Sequence, residues 1–327
     1  PAMPPRAAFG VWWSLFSAFS EKQLLDEVLQ GYADHDLPLN VVVLDMDWHV
    51  QPQEEACNAW GAWDWDTTQF PDPQGFIRSL HGHANPTGHP LLVSLNIHPQ
   101  AGVTKCSGKY ETFATACNGS CAMPDKKLGT FMCDMSNKAY VEALWTAYMS
   151  DDEYADVDFW WTDYAGCGFA GLLPPGGDAG TLHDATMQSQ SAGGWSLQWN
   201  NEVYANLSSR GGTRRPLTFS RPAGIGTQRA PISFSGDALQ TWQSLAWEVE
   251  STALNANSLS TYMSHDVGGF HPWLNSSTLP GTTDAQDPNG SELYLRWIQF
   301  GVFSPIFRTH GNHAPRKIWE FVHYEEM

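Results

Sequence analysis

The stretch LNVVVLDMDWH, Leu39 to His49, sets a form that the rest of the chain repeats. Three valines and a leucine run on without alternation, then stop at Asp45 and Asp47, with His49 just beyond. A short continuous apolar run bounded by polar residues reads as a strand buried on both faces. FGVWWS (9–14) precedes it, and HPLLVSLNIHP (89–99), ending at Asn96 and His98, follows it. DFWWTD (158–163) ends at Asp163 and RPLTFSR (215–221) at Arg221. NSLSTYMSHDVGG (257–269) ends at His265 and Asp266, and FSPIFRTHG (303–311) at Arg308 and His310.

Helical stretches separate several of these runs. In SEKQLLDEVLQGYADHD (20–36), Ser20 is an N-cap and Leu24, Leu25, Val28 and Leu29 share one face. Further helices are expected around Lys138 to Met149, Leu239 to Ala256 and Glu292 to Val302. Buried parallel strands alternating with helices, with polar residues gathered at strand C-termini, give a (β/α)8 TIM barrel. A doubly wound sheet would want a Gly-rich phosphate turn after an early strand, and the sequence has none. Seven runs are legible, so an eighth strand is expected beyond Met327 and the barrel reads as truncated before strand 8. No repeat or linker divides residues 1–327, which read as one catalytic barrel domain.

Lys plus Arg total 17 against 35 Asp plus Glu, a net charge of −18, so a nucleic-acid ligand is excluded for want of basic patches. No run approaches the roughly 18 apolar residues of a membrane span. Sixteen Trp and 13% aromatic residues are more than a core requires and offer platforms for sugar rings. Four of six cysteines crowd into Cys106–Cys133, where two disulfides or a zinc ion could form; the paired spacing of a zinc site is absent. Sequons at Asn118, Asn206, Asn275 and Asn289, with the clustered cysteines, lean toward a glycoprotein of the secretory pathway or extracellular space. The opening PAMPPRAAFG is neither an initiator Met nor a leader, and reads as a fragment or processed form.

Around a barrel mouth the strand ends supply Asp45, Asp47, Asp163, Arg221, Asp237, Asp266 and His310. Carboxylates among Trp and Phe suit glycosidic cleavage: one stays ionised to attack the anomeric carbon, and another gives a proton to the leaving oxygen. Asp163, at a rigid strand end, fits the first role. Asp237, after a Ser-Gly turn in PISFSGD (231–237), fits the second. HGHANPTGH (81–89) gathers His81, His83 and His89 but reads as a polar loop, so neither metal nor cofactor is expected.

VVVLDMDWH (41–49), FWWTDYAG (159–166), FSRPAGIGTQRAPISFSGD (219–237), STYMSHDVGGF (260–270) and RWIQFGVFSPIFRTHG (296–311) occur in this order. Together they resemble the catalytic barrel of glycoside hydrolase family 31, from about Phe9 to about Trp319. The resemblance implies a retaining α-glycosidase, with an α-glucoside the first-choice substrate in an oligo- or polysaccharide. It implies Asp163 as nucleophile and Asp237 as general acid and base. Asp45, Met46, Arg221, Asp266 and His310 would bind the sugar, and Trp161, Phe234 and Phe270 would wall the pocket. The family's flanking β-sandwich domains are absent, so the chain reads as part of a larger chain or assembly. Tyr164 and Ala165 after the nucleophile, His49, and the long segment HPWLNSSTLPGTTDAQDPNGSE (271–292) depart from the pattern. A non-hydrolytic sugar-binding or structural protein reusing the barrel, and a lyase sharing the nucleophile, are the alternatives.

Overall fold

The computed structural model describes residues 3–52, 57, 59–83, 88–121, 129–134, 137–163, 215–221, 226–229, 232–271, 290–322 and 324–327. Tyr164, Ala165, Cys167, the sequons at 206, 275 and 289, and most of the 271–292 segment lie outside them.

Eight parallel strands form a ring: β1 (Val11–Leu15), β2 (Val41–Leu44), β3 (Leu92–Ile97), β6 (Phe159–Thr162), β7 (Thr218–Ser220), β8 (Ile232–Phe234), β9 (Met263–Ser264) and β10 (Phe307–Thr309). The order is β10-β1-β2-β3-β6-β7-β8-β9, and single parallel bridges from Ser264 to Ile306 and Val267 to Thr309 join its two ends. An antiparallel pair, β4 (Val103–Thr104) with β5 (Thr130–Phe131), stands apart. The barrel is as expected, but its eighth strand is not beyond Met327. It is Ile232–Phe234, a three-residue strand between Pro231 and a Ser-Gly turn. No α-helix is described between it and β7, so the alternation of strand and helix does not mark it.

Strand side chains point alternately inward and outward, and here both directions are apolar. Trp12, Val41, Val43, Leu92, Phe159, Trp161, Phe219 and Phe234 pack in one cluster inside the ring. Trp13, Val42, Leu44, Val93, Leu95 and Trp160 pack in another, between the ring and its helices. The first of these helices runs Glu21–Gln23, through a π-helical stretch Leu24–Leu29, to Gln30–Asp34. Ser20 caps it in a reciprocal box with Gln23, and Leu24, Val28 and Leu29 are buried as its spacing predicts. Helices Trp242–Asn257 and Ser291–Gly301 also appear where expected. No helix among the described residues is long and apolar enough to cross a membrane.

Disulfides join Cys57 to Cys106 and Cys117 to Cys121, and Cys133 is also disulfide-bonded. The cysteine cluster is thus oxidised, not a zinc site.

Candidate active site

The strand C-termini converge on a cavity of about 280 Å³, near the lower end for a small-ligand pocket. Asp163, one residue past β6, is buried, and its N–H donates to the Ile97 carbonyl at 3.0 Å. That bond extends the ladder to β3 and fixes where the carboxylate points. Asp237 follows β8 across Ser235 and Gly236. Gly236 has φ +91°, and a Cβ there would collide with Arg221 Nη1, so glycine lets the guanidinium pass.

Arg221, at the end of β7, ties the two carboxylates together. Its Nε donates to Asp163 Oδ1, and its Nη2 reaches Asp163 Oδ2 at 3.3 Å and Asp237 Oδ1 at 2.6 Å. Sharing one nitrogen, those two oxygens can be at most 5.9 Å apart, the total of the 2.6 and 3.3 Å contacts. Burial pushes the Asp163 carboxyl up. The nearby His98 ring and the Arg221 guanidinium outweigh it and hold the group below the usual carboxylate range. Asp163 is a buried carboxylate kept ionised.

Asp45, one residue past β2, accepts from the Met46 N–H at 2.7 Å, and its other oxygen lies 3.4 Å from His310 Nε2. Burial pushes Asp45 up to about 8, with the Asp163 charge adding to the shift. Burial and then Arg308 hold His310 well below its ordinary value. The contact is therefore not an ion pair near pH 7. His310 Nδ1 sits 2.7 Å from Ser14 Oγ.

Met46, Trp161, Phe234, Phe270 and His310 line the cavity with Asp45, Asp163 and Asp237. Phe270 stacks on the His310 ring at 5.1 Å. Two expected site residues stand behind the lining. Arg221 backs the carboxylate pair, and Asp266, one residue beyond the end of β9 plus His265, turns its carboxylate to Arg308. Asp266 is pushed up to about 7 by burial, which prevails over the Arg308 charge.

Three contributors were not singled out from sequence. His98 Nε2 lies 3.7 Å from Asp163 Oδ2, Trp60 rests on the His98 ring, and His271 Nε2 is 3.9 Å from Asp237 Oδ2. His98 had a signal, its place at a strand end; Trp60 and His271 come from connections whose path a sequence does not give. Among the described residues no three His, Cys, Asp or Glu side chains gather to hold a metal ion. His81 is instead tied to Asp158 at 2.8 Å.

The family model for the glycosyl hydrolases family 31 TIM-barrel domain matches residues 1–327. An alpha-xylosidase of Emericella nidulans is 26% identical over 338 residues, covering 98% of this chain and 37% of its own length. The neutral alpha-glucosidase AB of Mus musculus is 25% identical over 340 residues, covering 95% of this chain and 31% of its own. The crystal structure of a GH31 alpha-xylosidase from Xanthomonas citri has a TM-score of 0.72 at 24% identity, over 97% of this chain and 34% of that one. This chain thus spans about a third of the length of these relatives, and the last likeness is one of fold.

Proposed function

We propose, from the premise that this chain belongs to glycosyl hydrolases family 31, that its barrel carries the catalytic centre of a retaining α-glycosidase. The substrate is a terminal α-linked sugar of an oligo- or polysaccharide, an α-glucoside first and an α-xyloside second, since relatives named for each activity match. Asp163 attacks the anomeric carbon as the glycosidic C–O bond breaks, and Asp237 passes its proton to the departing oxygen. Water then gives a proton to Asp237 and adds to the same carbon, which releases Asp163 from its ester and restores both groups.

The observation that carries this reading is the Arg221 bridge. Retaining carboxyl pairs lie about 5 to 5.5 Å apart, and inverting pairs roughly 6.5 Å or more, to admit a water. An upper bound of 5.9 Å between the bridged oxygens supports retention. The ionised state of Asp163 supports its role as nucleophile, and Asp45 lines the cavity where a sugar hydroxyl would bind. Arg221, Asp266 and His310 hold these groups in place, while Met46, Trp161, Phe234 and Phe270 keep the pocket dry. The unit acting here is the barrel, 1–327, within a larger chain, and its disulfides support an oxidising, secretory or extracellular setting.

The test uses the full-length protein on aryl α- and β-glycosides, with Asp163→Asn beside it. One α-glycoside should turn over, NMR should find the α-anomer released first, and the variant should lose about a thousandfold or more in kcat, ~4 kcal/mol of barrier. A β-anomer as first product would replace retention with inversion. A fully active variant would remove Asp163 from the mechanism.

A further inference from the structure

The two carboxylates do not account for the wall that the connections after β2 and β3 build. β3 stands three strand positions from β8, which bears Asp237, so this wall faces away from the leaving group. Trp60 lies there on the turn Ala59–Gly61, its indole against the His98 ring with centroids 4.5 Å apart and planes at 32°. Both rings line the cavity with Asp163. Trp161 and Phe234 on the same cavity are 2% and 1% exposed, as core residues are, whereas Trp60 is 38% exposed.

Three restraints hold this half-open ring. The Cys57–Cys106 disulfide ties the chain before it to the chain after β3. The Trp63 indole N–H donates to the Trp60 carbonyl at 2.6 Å. Gly61 is pressed on the backbone beyond His98, where a Cβ would lie 2.6 Å from the Gly102 carbonyl oxygen. Fixing a segment costs conformational entropy, and Trp60 recovers only part of it by burial. A partly exposed aromatic ring, rigid at a pocket mouth, is preorganised for a flat and partly apolar ligand.

We propose that Trp60 is a specificity-determining residue of the site. Its indole takes the apolar C–H face of the pyranose bound beside Asp163, His98 sets its tilt, and the Cys57–Cys106 disulfide keeps it at the mouth. The inference rests on the glycosidase reading for its substrate class and adds the ring face by which that substrate is held.

The experiment compares the full-length protein with its Trp60→Ala, Trp60→Phe and Cys57→Ser/Cys106→Ser forms on the α-glycoside the parent cleaves best. Trp60→Ala should raise KM roughly tenfold, by more than it lowers kcat, and Trp60→Phe should restore most of the loss. The double serine form should fall between them with an unchanged circular dichroism spectrum. An unchanged KM in Trp60→Ala overturns the proposal, as does a loss that Trp60→Phe does not repair. Calorimetric titration with the free sugar separates the two readings. If the parent cleaves nothing, the glycosidase reading fails, and weaker sugar binding by Trp60→Ala still supports this one, while equal binding overturns it.

Discussion

Arg221 and Arg308 each reach an aspartate near the end of a barrel strand, and the two pairs have opposite consequences. The Arg221 side chain is 26% exposed at the pocket, bridges two carboxylates, and helps hold Asp163 below its ordinary range. Arg308 and Asp266 are sealed inside the ring at 0% and 1%. The Arg308 guanidinium lies over Trp161, Phe219 and Phe234 at 4.9, 5.1 and 5.4 Å. There burial prevails, raising Asp266 to about 7 and lowering Arg308 itself. The ion pair is the same in kind; what differs is the surrounding medium and the number of partners. At the pocket, with Arg221 and His98 both against it, the buried Asp163 keeps a charge that chemistry can use. Among aromatic rings, the pair becomes a strut whose worth lies in being complete.

The largest expected effect is on the strut. Arg308→Leu should destabilise the protein by about 3–5 kcal/mol in urea unfolding, because it leaves Asp266 buried without its partner. Adding Asp266→Leu should recover much of that loss, since the stranded carboxyl goes with it; a double variant no better than the single would break the distinction. Arg221→Gln should act the other way round. Its kcat should fall roughly a hundredfold, ~2.7 kcal/mol, with a much smaller change in urea midpoint, because a half-open guanidinium contributes little to folding. A collapse in stability comparable to that of Arg308→Leu would make the two arginines alike.

The smallest effect is in pH. Asp45 and Asp266 have folded values raised to about 8 and about 7, so their stabilising contribution is complete below the ordinary carboxylate value near ~4. It is lost as pH rises through 7 and 8. Asp163 is depressed, so its contribution is present above the ordinary value and is lost as pH falls through the lower folded one. Asp45→Asn should therefore flatten the decline in Tm between pH 5 and 8 while leaving the acid side alone, as calorimetry across that range will show.

Much of this was legible in the sequence because parallel strands buried on both faces leave continuous apolar runs, and a barrel puts its polar residues at their ends. Asp45, Asp163, Arg221 and His310 follow from that alone. Ile232–Phe234 did not, because no α-helix is described between it and β7 to set it apart. Arg308 was visible at a strand end, yet its burial among three rings depends on where neighbouring strands aim their aromatics. Trp60 and His271 sit in connections, whose positions are fixed by a disulfide and by backbone approaches such as Gly61 on Gly102, and no pattern in a single chain encodes those distances.

The bridges from Ser264 to Ile306 and from Val267 to Thr309 have one more consequence. A ring of strands has no edge, and so offers other chains no row of open amides to pair with. That protection is thinnest between β9, two residues long, and β10, where single bridges replace a ladder. Among the barrel strands described, amide exchange should be fastest along that seam. A barrel that opens there would expose two strand edges at once.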